Sequence, residues 1–123
     1  LPICAAIDYM NSVGFDAIAT YEHELLEYAT EKMNTIEGMQ IYGPKTNKTS
    51  VISFNIEGIH AYDLGTIVDK LGIAIRTGQH CAQPIMDFFK VSGTARASFS
   101  FYNTKKEIDT LVKGLERAAM MLR

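Results

Sequence analysis

The chain has 123 residues, 47% hydrophobic and 21% charged, with a net charge of −2. That suits one domain over residues 1–123, long enough to bury roughly two thirds of its unfolded surface without staples. Twelve Lys and Arg form no basic cluster, which argues against a nucleic-acid partner, and no stretch approaches the ~18–20 apolar residues that cross a bilayer.

The chain opens at Leu1 with no Met and no basic segment, and Asp8 soon interrupts the apolar run. This is not the pattern of a secretory signal, and it reads as a piece cut from a longer protein. Ile3–Met10 is either a helix or a buried run. Cys4, within Ile3-Cys4-Ala5-Ala6-Ile7, reads as a small hydrophobe. Val13-Gly14-Phe15 breaks the pattern. Apolar residues then recur at three and four, from Ile18 through Leu25 and Met33 to Ile36, and predict a helix over Asp16–Ile36 with Gly38 as its stop. Met39–Tyr42 is a short strand closed by Gly43-Pro44, and Lys45–Lys48 is a polar turn. Ser50–Ile56 alternates as a strand should.

A helix follows over Ala61–Leu71, with Leu64, Ile67, Val68 and Leu71 on one face and Gly72 after it. Ile73–Arg76 reads as a strand and Thr77–Gln83 as a loop. Pro84 then starts a helix that runs to Lys90, proline being tolerated where no intrahelical bond is lost. Ala95–Tyr102 reads as a strand. Thr104 and Glu107 have the spacing of a capping box that begins the last helix. Gly114 within that helix costs about 1 kcal/mol relative to Ala, so close packing is expected there. The order of elements favours an α+β fold, a small, mainly antiparallel sheet covered by helices.

The chemistry concentrates in Gly72–Asn103. Cys81 lies in a loop between a strand and a helix. The helix dipole, the neighbouring His80 and the upstream Arg76 would each favour its thiolate. The thiol is therefore either a nucleophile or a cysteine that merely occupies a loop. Arg96 lies among the small and apolar residues of Thr94–Phe99. A half-buried guanidinium needs an anion, either an internal Asp or Glu, the commoner outcome, or a ligand carboxylate held by its fork. His60 and Asp63 suit the first turn of a helix, and His23, between two glutamates, suits the surface. Two Cys and three His show no zinc spacing, and a Cys4–Cys81 disulfide is not needed by a chain this apolar.

The segments RTGQHCAQP and RASFSFYNT resemble the group II, SufS/CsdA-like cysteine desulfurases and selenocysteine lyases of the class V aminotransferase family. AAIDYMNSVG, GMQIYGP and IDTLVKGLERA extend the resemblance over nearly the whole chain. It implies the C-terminal small domain of a fold-type I pyridoxal 5'-phosphate enzyme. The intact enzyme would take sulfur from L-cysteine, release L-alanine and leave a persulfide on Cys81 for iron–sulfur cluster assembly. Arg96 matches the arginine that clamps the substrate carboxylate, Arg76 matches that of the RTG element, and His80 is a candidate auxiliary. The resemblance further implies a cytoplasmic homodimer and a sulfur-acceptor protein of the SufE/SufU type. Many members read His-His-Cys, whereas Gln79 here removes the first titratable group. The family's large domain carries the Schiff-base lysine, the ring-stacking His, the Asp for the pyridine nitrogen and the phosphate-binding groups. No Ser-x-His-Lys segment occurs here, so the chain alone is expected to bind no pyridoxal phosphate and to turn over no cysteine. The other readings are a selenocysteine lyase with L-selenocysteine as substrate, a non-catalytic sulfur carrier or interaction module, and a class V relative of another activity; relatives of that last kind generally lack the RTGxHCAxP loop. A domain cut from its large partner would also expose an apolar surface and self-associate.

Overall fold

A computed structural model describes residues 1–123. Helices α1 (Pro2–Val13) and α2 (Phe15–Met33) lead into strands β1 (Met39–Tyr42) and β2 (Val51–Ile56). Then follow α3 (Ala61–Lys70), β3 (Arg76–Gly78), α4 (Gln83–Phe89), β4 (Thr94–Ser98) and α5 (Lys105–Leu122). The four strands form one sheet in the order β1-β2-β4-β3, and every neighbouring pair is antiparallel. The expected α+β architecture is therefore present.

The sheet has one covered face. Ile52, Phe54 and Ile56 of β2 and Ala95 and Ala97 of β4 are buried. They join apolar residues of α2, α3 and α5 in a core of 19 buried side chains. Alternation sends the intervening residues, Ser53, Asn55, Thr94 and Arg96 among them, to the opposite face. No helix of the core covers that face.

Local chemistry explains where elements stop. Thr104 accepts from the Glu107 N–H at 3.2 Å while Glu107 accepts from the Thr104 N–H at 3.0 Å, so the expected capping box starts α5. After α3, the Gly72 N–H bonds the Asp69 carbonyl and the Ile73 N–H bonds that of Val68. This is a Schellman stop, with Gly72 at φ 81°. It also moves β3. With the Ile73 N–H spent on the helix end, pairing begins at Arg76 rather than Ile73 and runs to Gly78. β4 is shorter than expected as well. The Ser100 N–H donates to Asn103 Oδ1 at 2.8 Å, turning the chain after Phe99. α2 ends at Met33, where a turn through Asn34 and Thr35 takes over. Ile36 is still buried, but Gly38 serves the entry to β1 and not the helix stop.

Pro84 occupies the second position of α4, where it equally costs no intrahelical bond. Gly114 is closely packed, because a Cβ there would run into the Ile73 side-chain tip. α1 buries none of its residues, and Cys4 on it is exposed, so its apolar neighbours do not make it part of the core. Across the molecule, the Tyr28 hydroxyl donates to Asp109 at 2.6 Å and ties α2 to α5. That bond to a carboxylate holds the Tyr28 phenol above its ordinary pKa.

Candidate active site

The uncovered face carries two arginines side by side. Arg76 on β3 lies directly opposite Arg96 on β4, and Arg96 lies opposite Ser53 on β2. Directly opposed like charges destabilise an antiparallel pair by a few tenths to about 1 kcal/mol. No carboxylate inside the chain relieves this. The ion pairs are His23–Glu27 and Glu37–Arg123, on other surfaces. The internal acidic partner that composition favours for Arg96 is therefore absent. Arg96 Nε is buried without a hydrogen-bond partner, as is Asn55 Oδ1 on the same face. Each such atom costs on the order of 1–3 kcal/mol while it stays unpaired. The face is chemically incomplete and fits an anion with two or more acceptor oxygens.

Cys81 stands at the end of this face. β3 runs through Gly78, which pairs with Thr94, and the chain then turns through Gln79, His80, Cys81 and Ala82. The Ala82 N–H closes the turn on the Gln79 carbonyl at 2.9 Å. His80 and Cys81, its two central residues, have φ values of 55° and 56°. Both are left-handed and neither is glycine, which costs roughly 1–2 kcal/mol per residue. Such a turn persists only where its surroundings hold it. His80 Nε2 lies 3.1 Å from both the carbonyl oxygen and the hydroxyl of Thr94. A carbonyl only accepts, so Nε2 carries a proton and donates. The Thr94–Gly78 pair is two residues along the strands from the arginine pair, about 7 Å.

Cys81 is exposed and borders a cleft of about 880 Å³ together with His80, Asn55, His60, Tyr62 and Gly93. Neither Arg76 nor Arg96 lines that cleft. The fold thus gathers the expected residues in two adjoining groups, the arginines on the sheet and the thiol with His80 at its end. No hydrogen bond joins the Cys81 thiol to His80, whose imidazole is engaged with Thr94. His60 caps α3, its Nδ1 accepting from the Tyr62 N–H at 3.1 Å. His23 is exposed on α2, 3.1 Å from Glu27.

Thr94, Asn55 and Gly93 were not singled out by sequence. Asn55 Nδ2 donates to the Gly93 carbonyl at 2.9 Å. A Cβ on Gly93 would stand 2.9 Å from the Gly78 carbonyl oxygen, so only glycine lets the turn before β4 press onto the end of β3. The one available signal was Gly93 just ahead of a predicted strand. Nothing in the spacing marked Thr94 as the partner of a residue 14 positions earlier.

Residues 2–111 match the family model for aminotransferase class-V. A probable cysteine desulfurase of Halalkalibacterium halodurans is 50% identical over 113 residues, covering 92% of this chain and 28% of that protein. A probable cysteine desulfurase of Staphylococcus aureus is 51% identical over 116 residues, covering 94% and 28%. Among solved structures, the cysteine desulfurase CsdA of Escherichia coli superposes with a TM-score of 0.89 at 32% identity, over 97% of this chain and 29% of that one. A cysteine desulfurase of Thermococcus onnurineus gives 0.90 at 35% identity, over 96% and 30%. The chain spans under a third of the length of each of these relatives. With a family match over residues 2–111, the chain belongs to the class-V aminotransferase family.

Proposed function

We propose that this chain is the C-terminal, sulfur-accepting part of a cysteine desulfurase. The observation that carries the reading is the opposed Arg76–Arg96 pair, which lacks any internal carboxylate and lies beside the exposed Cys81 turn. The arginines bind the carboxylate of L-cysteine, with Arg96 supplying a fork whose Nε is otherwise unpaired. Cys81 then attacks the substrate sulfur. The substrate Cβ–S bond breaks, an S–S bond forms on Cys81, and the proton given up by its thiol balances the one gained at Cβ. The products are L-alanine and a Cys81 persulfide. His80, directly beside Cys81, is an auxiliary at this step.

Pyridoxal phosphate, the cofactor that the family implies, does not fit the residues of this chain. No lysine lines the cleft that holds Cys81, so the amine that would anchor the cofactor is not supplied there. The reading therefore assigns the cofactor to a larger domain of the full-length enzyme. A cytoplasmic homodimer that passes its sulfur to an acceptor protein for iron–sulfur cluster assembly completes the proposal.

Alanine release by the full-length protein tests it. Cys81→Ala is expected to lower release from L-cysteine roughly 10²-fold or more, and Cys4→Ala to leave it unchanged. Full activity in Cys81→Ala would sink the reading. Release that is fast only from L-selenocysteine would make the enzyme a lyase for that substrate.

A further inference from the structure

We propose that Thr94 and His80 are a positioning pair that sets where the Cys81 thiol is presented; this rests on the reading of Cys81 as the sulfur acceptor. Three observations meet at this point. First, His80 and Cys81 are consecutive left-handed residues, neither of them glycine, so the turn does not hold this shape by its own preference. Second, Thr94 is 1% exposed and is the one polar residue buried in the chain. Its hydroxyl has a single partner, His80 Nε2, which its carbonyl also engages. Third, Thr94 is fixed within the sheet by its pairing with Gly78, at the end of the strand from which the turn departs.

The imidazole is thus pinned at two points to a rigid strand. Because His80 precedes Cys81 directly, holding its ring restrains the peptide plane that carries the Cys81 nitrogen. Anchored in this way, the thiol keeps a constant offset from the arginines on the same two strands. An acceptor that must reach a substrate held by its carboxylate needs that constancy, since small misplacements lower the rate of a positioned reaction steeply. Thr94 touches neither substrate nor thiol and acts through His80.

The test uses the full-length protein with Thr94→Val, Thr94→Ser and His80→Phe. Two readouts are taken, the kinetics of alanine release from L-cysteine and the rate at which iodoacetamide alkylates Cys81, followed by mass spectrometry. Thr94→Val removes one neutral hydrogen bond at nearly constant shape. Its kcat is expected to fall about fivefold with KM unchanged, and Cys81 alkylation to quicken as the turn is freed. His80→Phe, which removes both contacts, is expected to change both readouts further. Thr94→Ser keeps the hydroxyl and is expected to stay near wild type. If Thr94→Val fails to fold, His80→Phe at its half-buried position carries the test. Unchanged kcat and alkylation in both variants would overturn the proposal, as would an equal loss in Thr94→Ser. A rise in KM with kcat intact would also overturn it, by assigning the pair to substrate binding. If Cys81→Ala is fully active the desulfurase reading fails, and the alkylation rates still decide whether the pair holds the thiol.

Discussion

Arg76 and Arg96 carry a cost in stability at single residues. Opposed across β3 and β4 with no carboxylate between them, they repel. Arg76→Gln is therefore expected to raise the stability of the folded chain by about 0.5 kcal/mol. Urea unfolding midpoints check this. The gain should shrink as salt is added, because exposed Arg76 is already screened, and a loss of stability would contradict the repulsion. The same substitution should weaken carboxylate binding in the full-length protein. Residue identity revealed much of this site in advance. An arginine among small apolar residues announces a need for an anion, and a cysteine in a loop announces chemistry. Sequence could not tell which anion, because that depended on whether a carboxylate elsewhere in the chain folds back onto Arg96. Nor could it locate the Thr94 contact. The left-handed turn at His80 and Cys81 was equally hidden, since neither residue type asks for positive φ and the shape is imposed by a partner distant in sequence.

Elements were legible wherever a local rule acts alone. The capping box of Thr104, the alternation of β2 and the glycine stop after α3 each follow from a few neighbouring residues. β3 was misplaced because two rules compete for Ile73. Its β-branched side chain favours a strand, but its N–H completes the Schellman bond to Val68, and the backbone bond prevails. Ile73 is instead used as packing. Its terminal methyl occupies the space that a Cβ on Gly114 of α5 would fill, so α5 lies close to the segment after α3. A double-mutant cycle measures this fit. Ile73→Val alone is expected to cost about 0.5–1 kcal/mol by deleting a half-buried methyl. In a Gly114→Ala background the same change should stabilise by a similar amount, because it removes the methyl with which the added Cβ clashes. The reversal of sign, read from denaturant midpoints, is the diagnostic result. Additive effects would show that the glycine is not there for Ile73.

At the scale of the whole molecule, the covered and uncovered surfaces differ in how complete they are. On the core side, α2, α3 and α5 close over the sheet, and the Tyr28–Asp109 bond ties α2 to α5. Away from that core, α1 buries nothing while Leu1, Ile3, Ile7, Val13 and Phe15 on it and beside it are exposed. Apolar spacing could not decide between a helix that packs and a helix that awaits a partner, because both have the same composition. The chain spans 28% of the length of the two bacterial proteins compared. Water-exposed apolar surface of this kind drives association. The isolated chain is therefore expected to gain average mass with concentration in sedimentation equilibrium. Replacing Ile3 and Ile7 together by Asp removes two of the larger apolar side chains from the face and should weaken that association about tenfold or more. Neither residue contributes to the core, so the unfolding midpoint of the variant should stay near wild type. A chain that remains monomeric at all concentrations would show that α1 needs no covering. Association that persists undiminished in the double variant would move the sticky surface elsewhere, to the exposed Ile85 and Phe88 of α4 or Met120 and Met121 at the end of α5.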